Sequence, residues 1–148
     1  MYDRMTAAHE AGHAVVCAAV GVRHVAFVRS DGSGQVSSTG DTLIGDLHPE
    51  DHAAVLLAGK VGEAMARGYG DLKEAVNDTL ALEHDGALLR EALSEIPSYQ
   101  YKRGAAVEMA DRALSILKKN RAEFDRLRRQ LEEEGIGHVK DMGPVAKP

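Results

Sequence analysis

The stretch TAAHEAGHAVVCAAVG, residues 6–21, admits few structures. Alanine is the best helix former, and small residues on all sides make a helix that other backbone can approach closely. Asp3 or Thr6 can cap its start and Gly21 suits its end, so the sequence predicts a helix over about 3–20. His9, Glu10 and His13 do not belong in an inert core helix. Side chains at i and i+4 stand one above the other on a helix face, so His9 and His13 point the same way. Two imidazoles so placed can grip a single ion, with Glu10 beside the ion rather than on it. The pattern is HExxH: two ligands plus a carboxylate able to take a proton from a water on the metal. The plain alternative is a helix with surface histidines, but the following AVVCAAV is too apolar for an exposed helix.

A catalytic tetrahedral site takes a third protein ligand and leaves the fourth position to water. Cys17 shares the face of His9 and His13, but eight residues of helix rise about 12 Å, too far for one ion. Cys17 reads instead as a small buried hydrophobe. His48 and His52, in HPEDH, form another i,i+4 pair. His48 precedes Pro49, which suits the first helical position, so His48 is expected to cap the helix rather than lie on it. Glu50 and Asp51 then fit its first turn.

The remaining pattern is largely helical. VRHVAFVR (22–29) alternates, SDGSG is turn chemistry, and QVSST is a short second strand, so a small hairpin is expected. A loop over 39–49 leads to a helix over about 49–67 with Ala53, Leu56, Leu57, Val61 and Ala64 on one side. After RGYGD, a helical stretch runs from about 71 to 94, with a break expected near Gly86. SEIPSYQ is read as a loop. The last helix, about 100–134, carries Ala106, Ala110, Ala113, Leu117, Phe124, Leu127 and Leu131 on one stripe and ends at Gly135. Residues 1–135 are read as one domain and 136–148 as a loose C-terminal tail. At 148 residues with 44% apolar but only 4% aromatic content, this is a mainly α fold packed on Ala and Leu, with a small β element.

HEAGHAVV, then LLAGKVGEAM, then an Asp-containing helix start, then ADRALSILKKNRAEFDRLRRQLEEE follow one another in an order that resembles the peptidase domain of the FtsH-type ATP-dependent zinc metalloproteases. The resemblance spans residues 6 to about 134. LAGKVGEA is similar to that family's GGRAAEE helix, with Gly59 and Glu63 in matching places. The last segment resembles its IL..NR..LD.LA..L.E helix. The resemblance implies a mostly helical domain holding Zn²⁺, a protein or peptide substrate, and a third zinc ligand that is an aspartate in a SND(L/I)xxAT segment.

Two aspartates can fill that place. VNDTL offers Asp78, with the literal Asn-Asp pair, and EHDGALLREAL offers Asp85. Asp85 falls between Leu82 and Leu89 on a stripe continued by Leu88 and Ala92, where an unpaired charge would be costly. Asp78 has more polar neighbours and can be solvated. Asp85 is therefore preferred, with Glu83 and His84 as residual options. Glu63 reads as a residue supporting a ligand rather than a ligand itself.

The chain departs from the family pattern in having no AAA module, no membrane anchor and no TTGAS lead-in, with a short loop over 39–49. That leaves a free-standing relative, or one part of a larger machine completed by a separate ATPase or by further copies of the chain. GxxxxGK[ST] is absent, so no ATPase is expected here. A net charge of −5 argues against nonspecific nucleic-acid binding. No apolar run approaches the roughly 20 residues of a membrane span. One cysteine, and a start, MYDRM, without the apolar region of a signal peptide, suit a reducing, cytoplasmic setting. The expected activity is peptide-bond hydrolysis by zinc held through His9, His13 and Asp85, with Glu10 as base. The rival readings are a noncatalytic zinc-stabilised interaction module assembling through its last helix, and a zinc hydrolase of another amide.

Overall fold

Asp3 starts the first helix as expected: its carboxylate accepts the Thr6 backbone N–H at 2.7 Å. The Thr6 hydroxyl has another task, donating to the Gly32 carbonyl at 2.7 Å and so tying the helix to the hairpin turn. The computed structural model describes residues 1–22, 24–38, 46–68, 71–96 and 104–140. Within them the order is α1 (Arg4–Ala19), β1 (His24–Val28), β2 (Gly34–Ser38), α2 (Pro49–Arg67), α3 (Leu72–Ala81), α4 (Glu83–Ser94), α5 (Ala105–Lys119), α6 (Arg121–Glu134) and β3 (Ile136–His138). The fold is mainly helical with a small three-stranded antiparallel sheet.

α1 and α2 form the centre. Ala7, Ala8 and Ala11 of α1 and Ala53, Ala54 and Ala58 of α2 are fully buried. The two backbones meet at glycine: a Cβ on Gly62 would stand 2.6 Å from the Ala8 carbonyl oxygen and 3.2 Å from the Gly12 Cα. Small residues at the crossing let α1 lie against α2, which fixes what the side chains on their shared edge can reach. Around this pair Leu89, Leu93, Leu117, Phe124, Leu127 and Leu131 complete one core.

Two expected helices are divided. The stretch over 71–94 breaks at Leu82, whose extended backbone (φ −72°, ψ 136°) ends α3 and begins α4, rather than near Gly86. Gly86 lies one turn into α4, where a Cβ would stand 2.5 Å from the Leu80 carbonyl oxygen, so the close fold-back of the two helices needs it. Arg90 then donates to that same carbonyl at 2.9 Å, closing the end of α3. The last helix divides at Asn120, whose side chain donates to the Ile116 carbonyl at 2.9 Å. Leu117, Phe124 and Leu131 are all buried on both sides of the break, so the apolar stripe runs through it.

The sheet order is β2-β1-β3. β1 pairs with β2 antiparallel, with Ala26 opposite Val36, and with β3, with Ala26 opposite Gly137. β3 corrects the expectation of a loose tail from residue 136. Gly135 ends α6 with a left-handed backbone (φ 74°), turns the chain, and accepts the Val28 N–H at 2.8 Å. Glu123, buried on α6, receives Arg126 and the Lys140 N–H, which holds the strand's far end. The rest of the expected tail (141–148) lies outside the described residues, as do residues 39–45 of the expected loop over 39–49, residues 69–70 of RGYGD and residues 97–103.

Candidate metal centre

His9 and His13 lie on the edge of α1 that faces α2, and α2 supplies the acceptors that orient them. The Nδ1 of His13 is 2.6 Å from the Val55 carbonyl oxygen, which only accepts, so Nδ1 carries the hydrogen and Nε2 presents a lone pair. The Nδ1 of His9 donates to Glu63 Oε2 at 2.8 Å. Both Nε2 atoms then point at one place, 3.0 Å apart. Asp85, in the first turn of α4, brings Oδ2 to 3.6 Å from the Nε2 of His9 and 3.5 Å from the Nε2 of His13. The break at Leu82 makes this possible, because it aims a new helix start at α1.

The spacing of these three atoms is that of ligands around one zinc ion. Corners of a tetrahedron about 2.0–2.1 Å from its centre are roughly 3.3–3.4 Å apart. The three observed separations bracket that value, and His9, His13 and Asp85 form the one such group among the described residues. Two nitrogens and a carboxylate oxygen suit zinc, and the hydrogen bonds to Val55 and Glu63 are the orienting contacts that zinc-bound histidines use. The residues fit the ion.

Charges at the centre are strongly coupled. Burial opposes a charged His9 ring, but the Asp85 carboxylate beside it, the hydrogen bond to Glu63 and the charge of Glu10 outweigh it and raise the ring to about 9. Burial also acts against ionised Asp85, yet the His13 and His9 rings beside it hold its carboxyl well below the usual carboxylate range. Glu10 is only 6% exposed, and burial raises its pKa against the pull of His13 and His9. A carboxylate so raised is a better proton acceptor.

A cleft of about 770 Å³ opens over the centre. Its floor is the α1–α2 edge, with Glu10, Lys60 and Glu63; its walls are β2, at Gly34, Gln35 and Val36, and the start of α4 at Leu82–Asp85. Gly34 leaves room for Glu10, since a Cβ there would stand 2.7 Å from Glu10 Cγ.

The structure thus brings together His9, Glu10, His13, Asp85 and Glu63, and it separates Asp78, which is exposed on α3. Glu83 and His84 line the rim without joining the three. Cys17 is fully buried, and burial pushes its thiol up to about 12. His48 stands at the cap position of α2 but makes no capping hydrogen bond, while His52 faces the cleft. Burial lowers His52, which favours its neutral ring. Sequence reasoning gave no role to His52 or Lys60. Their spacing from Leu56 and Glu63 along one side of α2 was the available signal.

No protein-family model matches the chain, and no curated protein matches it. Among the described residues no helix is long and apolar enough to cross a membrane.

Proposed function

We propose that this chain is a zinc-dependent metalloendopeptidase. The observation that carries the reading is the convergence of two imidazole lone pairs and one carboxylate oxygen in an open cleft, with the Glu10 carboxylate on the same floor. A zinc ion held by His9, His13 and Asp85 would polarise a peptide carbonyl and acidify a water at its open position. Glu10 would take the proton from the attacking water and deliver it to the leaving nitrogen. Its burial supports this role, since a base shielded from bulk solvent keeps the proton between those two partners. A site that only stabilised the fold would need ligands but no base and no cleft, so Glu10 favours hydrolysis over the interaction-module reading.

β2 supports a polypeptide substrate. Val28 and Arg29 alternate their N–H groups toward Gly135 and Ser33, which places the Val25 and Phe27 backbone toward β2. Their partners Ser37 and Gln35 therefore point inward, and Gly34 and Val36 point their N–H and C=O groups away from the sheet. Among the described residues no strand pairs with that edge. An extended peptide could add there, lying over Glu10 and the three ligands. A separate ATPase or further copies of the chain remain candidates to deliver unfolded substrate.

The test is zinc content by elemental analysis alongside cleavage of an unfolded protein such as casein. One zinc per chain, lost in His13→Ala together with cleavage, is the expected result. A wild-type protein that binds no zinc, or a zinc-loaded one that cleaves no peptide bond, overturns the reading.

A further inference from the structure

Lys60 and His9 share one carboxylate oxygen. Glu63 Oε2 accepts the His9 Nδ1–H at 2.8 Å and the Lys60 ammonium at 3.1 Å. Lys60 and Glu63 are three residues apart on α2, and their side chains are 24% and 13% exposed. Among the described residues lining the cleft, Lys60 is the one lysine or arginine, set among Glu10, Glu63, Glu83 and Asp85.

We infer that Lys60 is a positioning residue that limits how tightly the centre holds its metal, by sharing Glu63 with His9 and withdrawing part of the negative charge that Glu63 lends to that ligand. The inference rests on the reading of His9 as a zinc ligand. A carboxylate on the far nitrogen of a metal-bound histidine makes the ring a stronger donor. A cation on the same oxygen opposes this, and its own charge repels a divalent ion across the cleft floor. Both effects act through partly buried groups, where charges are less screened than on an open surface. A lysine that merely decorated the surface would form a weak, solvent-screened pair and leave metal binding untouched.

The experiment measures the zinc dissociation constant by competition with a chromophoric chelator, in wild type, Lys60→Met, Lys60→Gln and Lys60→Arg, each checked for fold by circular dichroism. Losing the charge should tighten zinc about tenfold in both the Met and Gln variants. Lys60→Arg should restore the wild-type value, which a purely steric role of the aliphatic stem would not require. In a Glu63→Gln background the Lys60→Met change should have a smaller effect, because the shared carboxylate is gone and only the direct repulsion between Lys60 and the ion remains. Unchanged or weaker zinc binding in the Met and Gln variants overturns the inference while leaving the metallopeptidase reading intact. A wild-type protein with no zinc affinity removes both, and the two failures are told apart by the wild-type measurement alone.

Discussion

Gly59 of α2 lies directly against the ring of His9: a methyl group there would stand 2.5 Å from Cε1 and from Nε2, and 2.6 Å from Nε2 of His13. The rings cannot step aside freely, since Val55 and Glu63 hold their other nitrogens. Gly59→Ala should therefore spoil the centre more than the fold. Overpacking costs about 1–3 kcal/mol, and roughly 1 kcal/mol returns through better helix propensity. Metal affinity should fall by about 10–100-fold, as when an orienting contact is lost. Thermal melts and chelator competition on the same samples separate the two effects.

Glu10→Gln should keep the metal and lose hydrolysis. The amide has nearly the same shape and still fits beside Gly34, but it cannot accept the proton. A fall in kcat of about 10²–10⁴-fold with unchanged zinc content is expected. Activity near wild type would remove Glu10 from the role of base.

Asp85→Ala should weaken zinc binding sharply, and Asp78→Ala should leave it unchanged. Asp78 sits exposed on α3, whereas Asp85 Oδ2 stands within 3.6 Å of both Nε2 atoms. Titration of each variant with zinc distinguishes them, and the reverse order would mean that another group completes the site.

Replacing Val36 or Ser37 by proline probes the free edge of β2. Val36→Pro removes an outward N–H and should leave the ladder to β1 intact. Cleavage of an unstructured peptide should fall by about tenfold, the worth of one hydrogen bond, with zinc content unchanged. Ser37→Pro removes an inward ladder bond and should cost stability instead. Equal cleavage rates in a folded, zinc-loaded Val36→Pro variant would show that the edge does not hold substrate.

The metal-free protein should lose stability as the solution becomes alkaline. His9 is raised to about 9 in the fold from an ordinary 6.5, so its contribution is complete below pH 6.5 and is lost as pH rises through 9. Asp85 is shifted the other way, so its contribution is present above its ordinary value and is lost in acid. Melting temperatures in chelator, taken at pH 6.5 and 9, should decline between the two values. Asp85→Asn should flatten that decline.

The centre was legible where spacing alone decides it. His9 and His13 had to share a face once α1 was helical, whereas Asp85 stands out as a charge on an apolar stripe only after the family resemblance asks for an aspartate. The breaks at Leu82 and Asn120 were not legible at their positions, because Leu117, Phe124 and Leu131 keep a helical period straight through the second. β3 was invisible for a different reason. GIGH has one β-branched residue, and Gly137 is there because a Cβ would stand 2.7 Å from Leu127 Cδ1, a tertiary demand that no local pattern announces. Lys60 is not legible in the sequence, because its significance lies in a Glu63 oxygen shared with His9, 51 positions away in the chain.

The break at Leu82 puts Asp85 on a helix of its own, far along the chain from the two histidines. An ion gripping all three would close a ring of roughly seventy residues, and by the loop-entropy relation used for covalent cross-links such a ring removes on the order of 4 kcal/mol of freedom from the unfolded chain. The metal would then be a removable buckle between α1 and α4. Stripping it would loosen α4 from α1 and leave untouched the α1–α2 crossing at Gly12 and Gly62, which involves none of the three ligands.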